Sequence, residues 1–79
     1  MSQTYLIRLG ENELGQILDG LRVRETTWRA TAEYHACGHL ADDSVAIEAC
    51  RDEVEATRIA DFYTAIIRDL EHQREAQRG

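Results

Sequence analysis

Residues 9–38 read LGENELGQILDGLRVRETTWRATAEYHACG, and the period of their apolar positions decides the fold class. Leu14, Ile17, Leu18, Leu21, Trp28, Ala32, His35 and Ala36 fall within about a third of the circumference at 100° per residue, the stripe of an amphipathic helix. Its start is marked at Gly10. With Gly10 as N-cap, Leu9 and Leu14 take the two positions of a hydrophobic staple, and Glu11 and Glu13 place negative charge in the first turn, where the helix dipole favours it. Gly38 supplies the stop, because a glycine just past the last helical residue adopts left-handed backbone without steric cost. A first helix is therefore expected over about 11–37. Gly15 and Gly20 each weaken it by up to about 1 kcal/mol relative to alanine, so its early turns must be held by packing.

The packing partner comes next in the chain. Gly38–Asp43 has the length of a connector between antiparallel helices, and Asp42, Asp43 or Ser44 can cap a second helix, expected over about 44–74. Ala56, Ile59, Ala60, Tyr63, Ile66, Ile67 and Leu70 share one face of it, and the same face extends back to Ala49 and Val45. Two facing stripes predict an antiparallel hairpin that brings Leu21 near Ala60, Leu18 near Tyr63, Leu14 near Ile67, and Trp28 near Asp52 and Ala56. The polar tail, residues 75–79, is expected to fray. Ile47, Cys50 and Val54 form a second, narrower apolar stripe on the opposite side of the second helix, and Phe62 also lies off the main stripe. A hairpin buries one face of each helix, so these four residues predict a homodimer interface that closes a two-fold four-helix bundle.

Upstream, Thr4–Leu9 is a short run of strand formers with Tyr5, Ile7 and Leu9 on one side. One strand is not stable alone, so this extended segment must pair with another chain or lie against the helices. The expected architecture is all-α: a single domain over residues 1–79, built as a helical hairpin with a short extended N-terminal segment. At 79 residues one core contributes only about 3–5 kcal/mol, and two cysteines are too few for a disulfide scaffold, which again favours oligomerisation. No apolar run reaches the roughly 18 residues of a membrane helix, and the first residues lack a basic segment followed by an apolar core, so a cytoplasmic protein without membrane contact is expected.

Charge carries the functional expectation. The chain has 15 acidic residues against 9 basic ones, all arginine, and a net charge of -6. Most of that surplus lies in residues 42–55, where Asp42, Asp43, Glu48, Asp52, Glu53 and Glu55 face only Arg51. On a continuous helix Glu48, Asp52 and Glu55 follow i, i+4, i+7 spacing and make an acidic ridge. Such a ridge suits docking on a basic partner surface, since carboxylates spaced roughly like backbone phosphates compete for a site that otherwise holds nucleic acid. The expected function is a non-enzymatic regulator or inhibitor whose partner-binding residues are Asp42, Asp43, Glu48, Asp52, Glu53 and Glu55. This mode of action is similar, by analogy, to that of phage-encoded inhibitors such as anti-CRISPR proteins. Direct nucleic-acid binding is not expected, because the arginines alternate with acids instead of forming a basic face.

Two other chemistries are visible in the residues. Asp52-Glu53-x-Glu55, with Glu25 and Glu33 on the first helix, is the nearest approach to the paired carboxylates of an all-helical magnesium-dependent nucleotide pyrophosphohydrolase, but no second acidic pair completes it. His35, Cys37, His39 and Cys50 are zinc-binding residue types near the hairpin tip, yet His-x-Cys-x-His is not a usual zinc clip, and on a helix His35 and Cys37 point apart. Both thiols are expected to face outward. No catalytic residue, metal or cofactor is expected on these grounds, and a purely structural dimerisation protein is the third reading.

Overall fold

The computed structural model describes residues 3–38 and 47–78. It contains two helices, α1 (Glu11–Cys37) and α2 (Glu53–Gln77), packed against each other, with no strand among the described residues. Residues 3–10 run without regular structure into the N-cap of α1 and are exposed. The ion pairs Arg22–Glu71, Arg29–Asp61 and Glu11–Arg78 set the two helices antiparallel. The shortest extent of the backbone is only 16 Å, so the hairpin is a single layer of two helices.

The local signals of α1 work as its sequence implies. The Gly10 N–H donates to the Glu13 carboxylate at 2.8 Å, and the Leu14 N–H reaches the Gly10 carbonyl at 3.0 Å, so the first turn is closed from both sides. At the other end Gly38 sits at φ 82°, left-handed, and its N–H bonds the Tyr34 carbonyl at 2.7 Å. Gly15 and Gly20 have open space where a β-carbon would project, so neither glycine is there to permit a close approach.

α2 begins nine residues later than the expected start near residue 44, because residues 47–52 are not helical. Asp52 is the operative N-cap: its carboxylate accepts the Glu55 N–H at 2.9 Å, while Glu53 and Glu55 complement the dipole. A helix continuing back through 47–50 would have presented Ile47 and Cys50 to solvent. Unwound, the segment turns both half inward, which removes apolar surface from water. α2 also runs three residues past its expected end, since Arg74 and Arg78 reach Glu11 of α1 and hold the last turn down.

The core is small. Leu18, Trp28, Ala56, Ala60 and Ile67 are its buried apolar residues, with Thr31 fully buried among them. Ala56 and Ala60, both 0% exposed, let the indole of Trp28 approach the α2 backbone, and Ala32, Cys50, Ile59 and Tyr63 close around this cluster. The expected Trp28–Ala56 contact is present, but below it the helices are offset by about one to two turns from the register suggested for Leu14, Leu18 and Leu21. Glu25 meets Thr64 and Arg22 meets Glu71, whereas a Leu21–Ala60 pairing would have set them near Ala56 and Ile59. The Glu25 carboxylate accepts from the Thr64 hydroxyl, and the Arg29 guanidinium bonds Asp61 at 2.8 Å and Thr64 at 2.9 Å.

Candidate functional site

The described members of the expected acidic site, Glu48, Asp52, Glu53 and Glu55, gather where α2 begins, but they do not make a ridge. Asp42 and Asp43 lie outside the described residues. Glu48 sits in the non-helical segment, where its carboxylate pairs with Arg24 at 3.1 Å and its N–H donates to the buried Thr31 hydroxyl at 3.0 Å. Asp52 is turned back as the cap of α2, so its carboxylate serves the helix first. Glu55 accepts from the Arg51 N–H at 3.0 Å and from the Arg51 guanidinium at 3.2 Å. The i, i+4, i+7 alignment of Glu48, Asp52 and Glu55 is lost because helical spacing does not extend back to residue 48.

Three of the four carboxylates described here thus have intramolecular duties, and their electrostatics follow. The Arg51 N–H, then its guanidinium, hold the Glu55 carboxyl below its ordinary range. Across the segment, Tyr63 first and then Glu48 raise the Arg24 guanidinium above its ordinary value, with the guanidinium carbon 5.8 Å from the centre of the Tyr63 ring. Glu53 is different. It is exposed in the first turn of α2 with no ion-pair partner among the described residues. Glu53, Val54, Thr57, Arg58 and Asp61 border a shallow groove on the outer face of α2, and Val54 is 64% exposed within it.

The expected dimer residues are also redistributed. Val54 and Phe62 are exposed on α2. Ile47 and Cys50 precede the helix and are half-buried, so the stripe of Ile47, Cys50 and Val54 does not exist as one helical face. Cys50 does not point outward as expected: it packs against the Trp28–Ala56–Ala60 cluster, and its sulfur lies 3.3 Å from His35 Nε2. Cys37 is exposed, donates to the Glu33 carbonyl at 3.0 Å, and is not disulfide-bonded. His39 lies outside the described residues. Of the four zinc-type residues, the fold brings together His35 and Cys50, a pairing that sequence spacing did not indicate.

Among the described residues no group of three or more His, Cys, Asp or Glu side chains is arranged to hold a metal ion. Glu25 and Glu33, the α1 carboxylates considered for magnesium, do not converge with Asp52 and Glu55: Glu25 is bound to Thr64, and Glu33 is exposed. Among the described residues no helix is long and apolar enough to cross a membrane. Compared with known proteins, the chain matches no family model, no curated protein and no solved structure.

Proposed function

We propose that this protein is a non-enzymatic protein-interaction module, a regulator or inhibitor that docks its acidic end on a basic partner surface. The observation that carries this reading is the outer face of α2, where an exposed Val54 is bordered by Glu53, Arg58 and Asp61 and lies next to the segment 47–52 that holds Glu48 and Asp52. An apolar anchor inside a charged rim is the composition of a docking patch, since the anchor supplies affinity and the rim supplies steering and specificity. Glu53 is its freest charge, while Glu48 and Glu55 contribute field although they are already paired.

The test is capture from native-host lysate at low and high salt, comparing the wild type with Glu53→Arg/Val54→Glu, which leaves the Asp52 cap intact. A basic partner retained at low salt by the wild type and lost from the variant supports the reading. Equal capture by both proteins, or capture indifferent to salt, refutes it.

A second reading, homodimerisation into a four-helix bundle, is favoured by a separate observation. One edge of the hairpin is polar, with Arg22–Glu71, Arg29–Asp61 and Glu25–Thr64. The other edge, by helical position, carries Ile17, Leu21, Ile59, Phe62 and Ile66, of which Ile17 is 42% and Phe62 62% exposed. A second hairpin laid on that edge would give each helix the two neighbours of a bundle. Light scattering over a hundredfold concentration range tests it: a dimer that Phe62→Glu makes monomeric supports the bundle, and a wild-type monomer throughout excludes it.

A further inference from the structure

The pairing of Cys50 with His35 is not used by either reading above. His35 lies in the last turn of α1 and Cys50 two residues before the cap of α2, so 15 residues of chain separate groups whose sulfur and Nε2 are 3.3 Å apart. The rings of Tyr34 and His35 make a T-shaped contact, centroids 5.7 Å apart. Among the described residues the sulfur has one other polar neighbour, the Asp52 carbonyl at 3.6 Å, a longer and weaker contact than that to the imidazole. Cys50 is half-buried and His35 exposed, so the thiol is seated against the core on one side and open to small molecules on the other. A thiol fully enclosed by apolar groups would be inert.

We propose that Cys50 is a thiol-modification site, with His35 as its general base and small cationic or neutral disulfides as its preferred reactants. Nε2 of His35 takes the proton from Sγ, and the thiolate attacks one sulfur of the disulfide. A bond forms from Cys50 to that sulfur as the reagent's own S–S bond breaks, and the departing thiolate takes a proton from water. Cys50 is oxidised and the reagent reduced, so the step balances without a further oxidant. The preference for reagent charge follows from the surroundings: Glu48, Asp52, Glu53 and Glu55 lie within a few residues of the thiol, against Arg51 and the Arg24 of α1 that pairs with Glu48, a net negative field that repels anions. The adduct occupies the space where segment 47–52 meets α1.

The experiment uses the full chain with Cys37→Ser, so that Cys50 is the one reporting thiol, and measures its second-order rate at pH 7. The reagents are cystamine (cationic), 4,4'-dithiodipyridine (neutral) and 5,5'-dithiobis(2-nitrobenzoate) (anionic), each rate divided by that of a small uncharged thiol. The expected result is that Cys50 reacts about tenfold faster with the neutral reagent in the folded protein than in the urea-unfolded chain. His35→Gln should remove that advantage while leaving circular dichroism and the melting curve unchanged. The normalised rate should fall from cationic to neutral to anionic reagent, with the spread collapsing at high salt. A folded-state rate below the unfolded one shows a thiol protected by packing and overturns the proposal. So does a His35→Gln rate equal to the wild type, or an anionic reagent that reacts as well as the cationic one.

Discussion

Thr31→Val is the substitution that most directly tests how the acidic segment is held. Thr31 is 0% exposed, and its hydroxyl makes two bonds: it donates to the Thr27 carbonyl at 2.8 Å and accepts from the Glu48 N–H at 3.0 Å. The first is dispensable, because the Thr27 carbonyl already accepts the helical N–H of Thr31. The second is not, since a methyl in place of the hydroxyl leaves the Glu48 N–H against apolar surface with nothing to bond. An unsatisfied buried donor costs about 1–3 kcal/mol. Glu48 is only half-buried, so water can partly replace the hydroxyl, and the loss should fall near the lower bound, about 1 kcal/mol. For a domain of this size that corresponds to a fall in melting temperature of roughly 4–8 °C. The assay is thermal and urea unfolding of Thr31→Val beside Thr31→Ser, which keeps the acceptor and loses only a methyl, together with hydrogen exchange at the Glu48 amide. Valine is the more apolar residue and nearly the same shape, so an argument from burial alone predicts neutrality or a gain. If Thr31→Val is as stable as the wild type and the Glu48 amide keeps its protection, the hydroxyl does not anchor the segment and the reasoning fails.

Three further outcomes follow from the geometry. Asp52→Ala should destabilise α2 by about 1 kcal/mol, and Asp52→Asn by much less, because asparagine also accepts from the Glu55 N–H; urea titration of the three proteins distinguishes them. Gly20→Ala should stabilise the protein by up to about 1 kcal/mol, since a β-carbon there meets nothing and the glycine only adds chain entropy; a lower melting temperature would show a contact at that face. The depressed Glu55 carboxyl contributes stability that is present at neutral pH, above its ordinary value, and is lost as pH falls through the lower, folded-state value. Melting temperature should therefore drop on acidification, and Glu55→Gln should be less sensitive to pH over that acidic window, a comparison of two pH–stability curves.

The acidic residues show where local reading stops. Six carboxylates against Arg51 are visible in composition, and the surplus they imply at one end of the hairpin stands without reference to any fold. Their partners are not visible. Arg24 and Glu48 are 24 residues apart, and only the turn of segment 47–52 back onto α1 makes them a pair. His35 and Cys50 were likewise legible as residue types of one kind, whereas their contact depends on an unwound segment that helical periodicity does not encode.

The boundaries of α1 were settled by sequence alone, because their signals act within one turn: Gly10 with Glu11 and Glu13 at the start, Gly38 in left-handed backbone at the end. The two amphipathic stripes, and hence two packed helices, were settled in the same way, since they follow from the 3.6-residue period. The start of α2 was decided by tertiary structure. Asp42, Asp43, Ser44 and Asp52 are all competent caps, and the choice of Asp52 goes with gains that are distant in sequence: the Thr31 hydroxyl bonding Glu48, and Cys50 turning in on Trp28. Register was decided there too. Stripes that repeat every turn fit one another at several offsets, and side chains that pair across the interface, Glu25 with Thr64, Arg29 with Asp61 and Arg22 with Glu71, single out one of them.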